Sequence, residues 1–125
     1  MNNLIDILLA EDEEHIAKLI VFKLAKESFS VTVARNGQEA ILLLRKKEWK
    51  LIILDVMMPI VNGWQVLKEL RSIVSLNDIP VLMLSAKGYQ NLEVVGDAEM
   101  GAQQYLKKPF DPEDLAKVVK RMIRV

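Results

Sequence analysis

Asp55 follows the apolar run Leu51-Ile52-Ile53-Leu54, and Pro59 and Gly63 soon break the chain beyond it. The acidic pair Glu11-Asp12 ends an earlier apolar run that begins at Leu4. A third run, Val81-Leu82-Met83-Leu84, ends on the hydroxyl of Ser85. A fourth segment, Tyr105-Leu106-Lys107, ends in Lys108-Pro109. Strands buried in a parallel sheet read as continuous apolar runs, and ligands gather outside their carboxyl ends. Four strands thus deliver three carboxylates, one hydroxyl and one ammonium to a single edge. That set suits a divalent cation beside a carboxylate that accepts a phosphoryl group.

Taken singly, each acidic residue has an ordinary explanation as a helix cap or a solvated loop residue. The coincidence carries the argument. Glu11, Asp12, Asp55, Ser85 and Lys108 all fall at carboxyl ends of expected strands. Three carboxylates brought together repel one another, and burial disfavours their charged forms. A divalent cation removes that difficulty. Magnesium takes octahedral oxygen ligands, commonly one or two carboxylates with waters and phosphate oxygens. Lys108 precedes Pro109, which biases its backbone to extended geometry and lets it point into the site as a compact charge.

These residues need a scaffold, and the chain supplies one by alternating apolar runs with helical patterns. Strands are expected over 4–10, 30–34, 51–54, 81–84 and 104–107. The first helix carries Ile16, Leu19, Ile20 and Leu24 on one face. Asn36-Gly37 turns into the second, with Ala40, Leu43 and Leu44 inward. The third presents Val66, Leu67, Leu70 and Ile73. A fourth is placed at 92–100, although Gly96 costs it about 1 kcal/mol. The fifth opens on Asp111 as N-cap, Pro112 at the first helical position and Glu113-Asp114 at the positive end of the dipole. Its face is Leu115, Val118, Val119 and Met122. Five βα units make a three-layer α/β/α sandwich.

Composition narrows the function. The 125 residues fit one domain spanning 1–125, and 51% are hydrophobic, enough for a packed core. Lys+Arg and Asp+Glu are both 17, so no basic excess points to direct contact with nucleic acid. There is no cysteine, hence no disulfide framework or thiolate metal site, which fits a reducing cytoplasm. No signal peptide and no apolar stretch of the roughly 18–20 residues that span a bilayer is visible. His15, the sole histidine, reads as a surface residue. Met57, Met58, Met83, Met100 and Met122 read as packing residues, and Trp49 and Trp64 as covers of core edges. Tyr105 is either an amphipathic edge residue or a rotamer switch.

The set Ala10-Glu11-Asp12-Glu13, Asp55-Val56-Met57-Met58-Pro59 with Gly63, Ser85-Ala86, and Tyr105-Leu106-Lys107-Lys108-Pro109-Phe110 resembles the receiver domain of two-component response regulators. The resemblance covers essentially the whole chain. It implies a flavodoxin-like fold, a five-stranded parallel sheet in the order 2-1-3-4-5 with five helices. It implies that Asp55 accepts phosphoryl from the phosphohistidine of a sensor histidine kinase or phosphotransfer protein. Asp12 and Asp55 would bind Mg²⁺ directly, Glu11 mainly through water, and Met57 through its backbone carbonyl. Lys108 and Ser85 would contact phosphoryl oxygens, and Tyr105 would turn inward on activation. The switched face, formed by the fourth helix, fifth strand and fifth helix, would meet a downstream effector. The module would assist its own phosphorylation and dephosphorylation and act as a monomer or a phosphorylation-dependent dimer.

Some residues depart from the usual pattern. Serine replaces the commoner threonine at position 85 and keeps the hydroxyl. The chain is one residue longer than usual between Ser85 and Tyr105. Gln103-Gln104 and Val118 stand where regulators with a winged-helix domain often carry charges, which argues for a different output or a stand-alone receiver. The apolar types at Met57 and the lysine at Lys87 argue against fast self-hydrolysis. Rival readings fit less well. A haloacid dehalogenase-like enzyme would want an acid at Met57. A flavodoxin-type cofactor binder would not place Glu11-Asp12-Glu13-Glu14 against a phosphate. A degenerate receiver acting only as a protein-binding module is the alternative, and it would normally lack Asp55 or Lys108.

Overall fold

The computed structural model describes residues 4–73, 76, 78–86 and 102–123. Five strands, β1 (Ile5–Ala10), β2 (Phe29–Ala34), β3 (Leu51–Asp55), β4 (Val81–Ser85) and β5 (Gln104–Lys107), form one parallel sheet in the order β2-β1-β3-β4-β5. Four helices are described: α1 (Glu14–Ala25), α2 (Gly37–Leu43), α3 (Gly63–Arg71) and α4 (Pro112–Ile123). The helix expected at 92–100, Lys87 and the extra residue before Tyr105 lie outside the described residues. The flavodoxin-like order and the layering agree with the resemblance.

Alternation along each strand builds two cores. Leu8, Ala10, Ile52, Leu54 and Met83 point to one face, where Ala40, Leu44, Val66, Leu67 and Leu70 cover them. Ile7, Leu9, Leu51, Ile53, Leu82 and Leu84 point to the other, beneath Ala17, Ile20, Leu24, Leu115, Ala116 and Val119. A strand with helices on both sides has no solvated face, so it can be apolar throughout. β3 and β4 are buried along their whole length.

Local chemistry sets the helix ends. Asn36 accepts from the Glu39 N–H at 2.8 Å and caps α2. Asn62 and Gln65 form a reciprocal capping box at the start of α3. Asp111 accepts from the Glu113 N–H at 2.9 Å, as expected of that helix start.

Three expectations are corrected. Leu19 is 45% exposed, and Ala17 takes the inward position instead. The small alanine lets α1 lie close to the sheet, which the hydrophobic spacing alone does not reveal. Trp49 is an interior residue, not a cover, and its indole N–H donates to the Leu43 carbonyl at 3.0 Å. Met57 is 58% exposed and packs little, whereas Met58 and Met83 are buried as expected. β3 ends at Asp55, so Met57 already lies in the loop.

Candidate functional site

Register brings the expected residues to one edge. Ala10 pairs with Leu54, which leaves Glu11 and Asp55 one residue beyond at adjacent strand ends. Asp55 pairs with Leu84, and Ser85 with Lys107, so Lys108 follows directly. Backbone bonds then hold these residues as they leave the sheet. The Glu11 N–H donates to Ala34 O at 3.0 Å, and the Lys108 N–H to Ser85 O at 2.7 Å. The Val56 N–H donates to Leu84 O at 2.8 Å. The Lys108-Pro109 peptide bond is cis.

Gly63 fixes the loop after Asp55. Its N–H donates to Val56 O at 3.0 Å. A Cβ built there would stand 2.4 Å from the Asp55 carbonyl oxygen. Only glycine lets the start of α3 approach the end of β3 this closely.

Carboxylate oxygens of Glu11, Asp12 and Asp55 lie within 4.8 Å of one another. Glu11 and Asp55 are buried, and Asp12 is exposed. The Lys108 ammonium enters this group, 3.0 Å from Glu11 Oε1 and 3.4 Å from Asp55 Oδ2. It also donates to Glu11 Oε2 at 3.2 Å. The Met57 N–H reaches Asp55 Oδ1 at 3.4 Å.

Burial, and then the charge of Glu11, push the Asp55 carboxyl up from 3.8 to about 7. Lys108 and the Met57 N–H pull the other way without prevailing. For Lys108, burial alone would lower the pKa; its hydrogen bond to Glu11 and the charges of Asp55 and Glu11 outweigh it, and the ammonium is held above its usual value. One ammonium therefore does not neutralise the cluster, and a further cation would. The donors are all hard carboxylate oxygens, the type Mg²⁺ takes, and Asp12 leaves one side open to water. Among the described residues, buried Glu11 Oε1 meets the ammonium at 3.0 Å but takes no hydrogen bond of regular geometry. The residues present fit a small divalent cation.

Ser85 is buried at the end of β4. Tyr105 is half-buried in β5, its ring centroid 6.2 Å from that of Trp64. The structure brings Glu11, Asp12, Asp55, Ser85 and Lys108 to one edge of the sheet. The sequence alone does not reveal Glu13, whose Oε1 lies 3.5 Å from Lys108 Nζ, or the Trp64 contact with Tyr105. A signal for Glu13 was present: it stands where a helix cap belongs yet is not a capping type. His15 is exposed, as expected.

Residues 7–120 match the family model described as the response regulator receiver domain. The chain is 41% identical over 118 residues to the probable transcriptional regulator ycf29 of Porphyra purpurea, covering 94% of this chain and 56% of that protein. It is 39% identical over 119 residues to the transcriptional regulatory protein SrrA of Staphylococcus aureus, covering 95% and 48%. The chain thus spans about half the length of these curated relatives. Among solved structures, the chemotaxis protein CheY4 of Vibrio cholerae aligns with TM-score 0.88 and 30% identity, over 95% of this chain and 98% of that one. The receiver domain of the sensor histidine kinase PA1611 of Pseudomonas aeruginosa aligns with TM-score 0.84 and 26% identity, over 98% and 99%. That structure holds a magnesium ion coordinated in its active site cleft.

Proposed function

The chain belongs to the response regulator receiver domain family, and from that premise we propose that it is a phosphoacceptor module whose acceptor is Asp55. The observation that carries this is the placement of Lys108 Nζ 3.4 Å from Asp55 Oδ2, within a group of three carboxylates spanning 4.8 Å. As a receiver the chain is a signalling module. Its donor is the phosphohistidine of a sensor histidine kinase or phosphotransfer protein, and its reader is a downstream effector.

An Asp55 oxygen bonds to phosphorus as the P–N bond to the donor histidine breaks. The electron pair returns to the imidazole nitrogen, which takes up a proton. Asp12 and Asp55 would hold Mg²⁺ directly, Glu11 through water and Met57 through its carbonyl. When bound, the cation supplies charge neutralisation for the converging carboxylates and the phosphoryl oxygens. Lys108 shields a transferred oxygen with its positive charge. Ser85, buried at the same edge, offers its hydroxyl to another. Met57 is exposed beside Asp55 and has no group to activate water, so the module releases its phosphoryl slowly. We assign the whole of 1–125 to this one domain. A cysteine-free chain suits the cytoplasm, where a kinase finds ATP.

Incubation with acetyl phosphate, with and without Mg²⁺, followed by mass spectrometry of the intact chain, tests this reading. One added phosphoryl group, dependent on Mg²⁺ and absent from Asp55→Ala, is expected. No adduct on a folded wild type would leave a module that only binds proteins. A phosphoryl half-life of seconds at neutral pH would overturn the slow release.

A further inference from the structure

Glu13 is a third carboxylate on Lys108, and the chemistry above does not use it. Its Oε1 lies 3.5 Å from Lys108 Nζ, beyond the 3.0 Å of Glu11 and the 3.4 Å of Asp55. Glu13 is also the N-cap of α1, with extended backbone, yet its side chain makes no capping hydrogen bond. Ser, Thr, Asp and Asn are the favoured caps, and glutamate is not among them. The side chain forgoes the cap and turns to the ammonium.

An ammonium has three N–H donors and no acceptor. Three carboxylates among the described residues surround this one, so Lys108 must re-aim a donor to hold a phosphoryl oxygen on Asp55. The side chains of Glu11 and Asp55 are 0% and 4% exposed, so bulk water does not replace Lys108 there in the metal-free protein. That of Glu13 is 52% exposed, and water replaces the ammonium there at little cost. Glu13 makes the longest of the three contacts and the easiest to give up.

We propose that Glu13 is a positioning residue: it restrains the Lys108 ammonium in the unphosphorylated protein and yields it to the incoming phosphoryl group, and so sets the rate of phosphoryl uptake. The inference rests on the phosphoacceptor reading of Asp55. It is distinct from a simple charge effect, and three variants separate the two. Glu13→Asp keeps the charge, is too short for the same reach and caps the helix better. Glu13→Gln removes the charge. Glu14→Gln removes a neighbouring charge whose ion pair is with Lys18, at 3.3 Å.

Initial rates of uptake would be measured against acetyl phosphate concentration with Mg²⁺ present. The side-chain NMR signals of Lys108 would be recorded without Mg²⁺ or phosphodonor. Both Glu13 variants should take up phosphoryl faster by about two- to five-fold, the range of an exposed ion pair. Both should shift the Lys108 signals, and Glu14→Gln should match the wild type in both readouts. Glu13→Asp behaving as wild type, or Glu14→Gln as fast as Glu13→Gln, would reduce the effect to charge alone and overturn the proposal. Unmoved Lys108 signals, or unchanged or slower uptake in the Glu13 variants, would overturn it too. No uptake by the wild type would remove the phosphoacceptor reading itself, and this inference with it.

Discussion

Asp55 is held in a place that disfavours its own charge. Burial and Glu11 raise its carboxyl to about 7, and an ordinary aspartate in the unfolded chain titrates near 3.8. Between those two values the folded protein without metal binds more protons than the unfolded one. Stability therefore falls as pH rises through that window. Asp55→Asn carries no titrating group and should lose this dependence. In EDTA, its melting temperature relative to wild type should rise from pH 5 to pH 8. A constant difference across that range would show that Asp55 titrates normally. Added Mg²⁺ should stabilise the wild type at pH 8 by binding only the folded state. Asp12→Asn should show far less of that stabilisation, since it loses a carboxylate from the group of three. An equal Mg²⁺ effect in both proteins would place the cation elsewhere.

Elements position these groups through close backbone approach, and Gly63 is the clearest case. A methyl at this position would lie 2.4 Å from the Asp55 carbonyl oxygen and 3.0 Å from Val56 Cα. The nearest atoms are backbone and cannot rotate away. Gly63→Ala must therefore lift the first turn of α3 or bend the end of β3. A cost of about 1–3 kcal/mol in urea unfolding is expected, as for overpacked interiors. Phosphoryl uptake should drop as well, because the displaced segment carries Asp55, the proposed acceptor. Full stability in Gly63→Ala would mean that α3 slides freely. The glycine was legible as a break in the sequence, and so were the strand ends, because apolar runs that stop on Glu11, Asp55 and Ser85 mark the sheet edge directly. Side-chain reach was not legible. Leu19 and Ala17 both fit a helical stripe, and only packing against the sheet chooses the smaller. Glu13 looked like one more acid in a run of four, and its contact with Lys108 depends on residues 95 positions apart in sequence. Local periodicity carries no information about such pairs.

Across the whole molecule, Asp55, the proposed acceptor, and Tyr105, the switch candidate, are linked through two routes. Ser85 and Tyr105 lie on neighbouring strands, with Ser85 paired to Lys107 and Met83 to Tyr105. Trp64 follows Gly63 at the start of α3, and its ring packs on Tyr105 at a tilt of 49°. A phosphoryl group on Asp55, as proposed, would draw on Lys108 and Ser85 and so pull at the carboxyl ends of β4 and β5. On the proposed role, Tyr105 would then move against an indole tied to the end of β3. To carry the molecule from about 1% to about 99% active, phosphorylation must favour the active state by about 5.5 kcal/mol. A bistable packing contact can express a bias of that size as two discrete ring positions. Trp64 emission should therefore change when acetyl phosphate and Mg²⁺ are added, in step with the mass-detected adduct. The change should vanish in Trp64→Phe, leaving only the Trp49 background, and in Asp55→Ala. Trp49 hydrogen-bonds to Leu43 within the core on the α2 side and should report little. A stoichiometric adduct with unchanged Trp64 emission would mean that Tyr105 keeps its place on phosphorylation. The signal would then leave the site through the Ser85–Ala86 segment, without the aromatic pair.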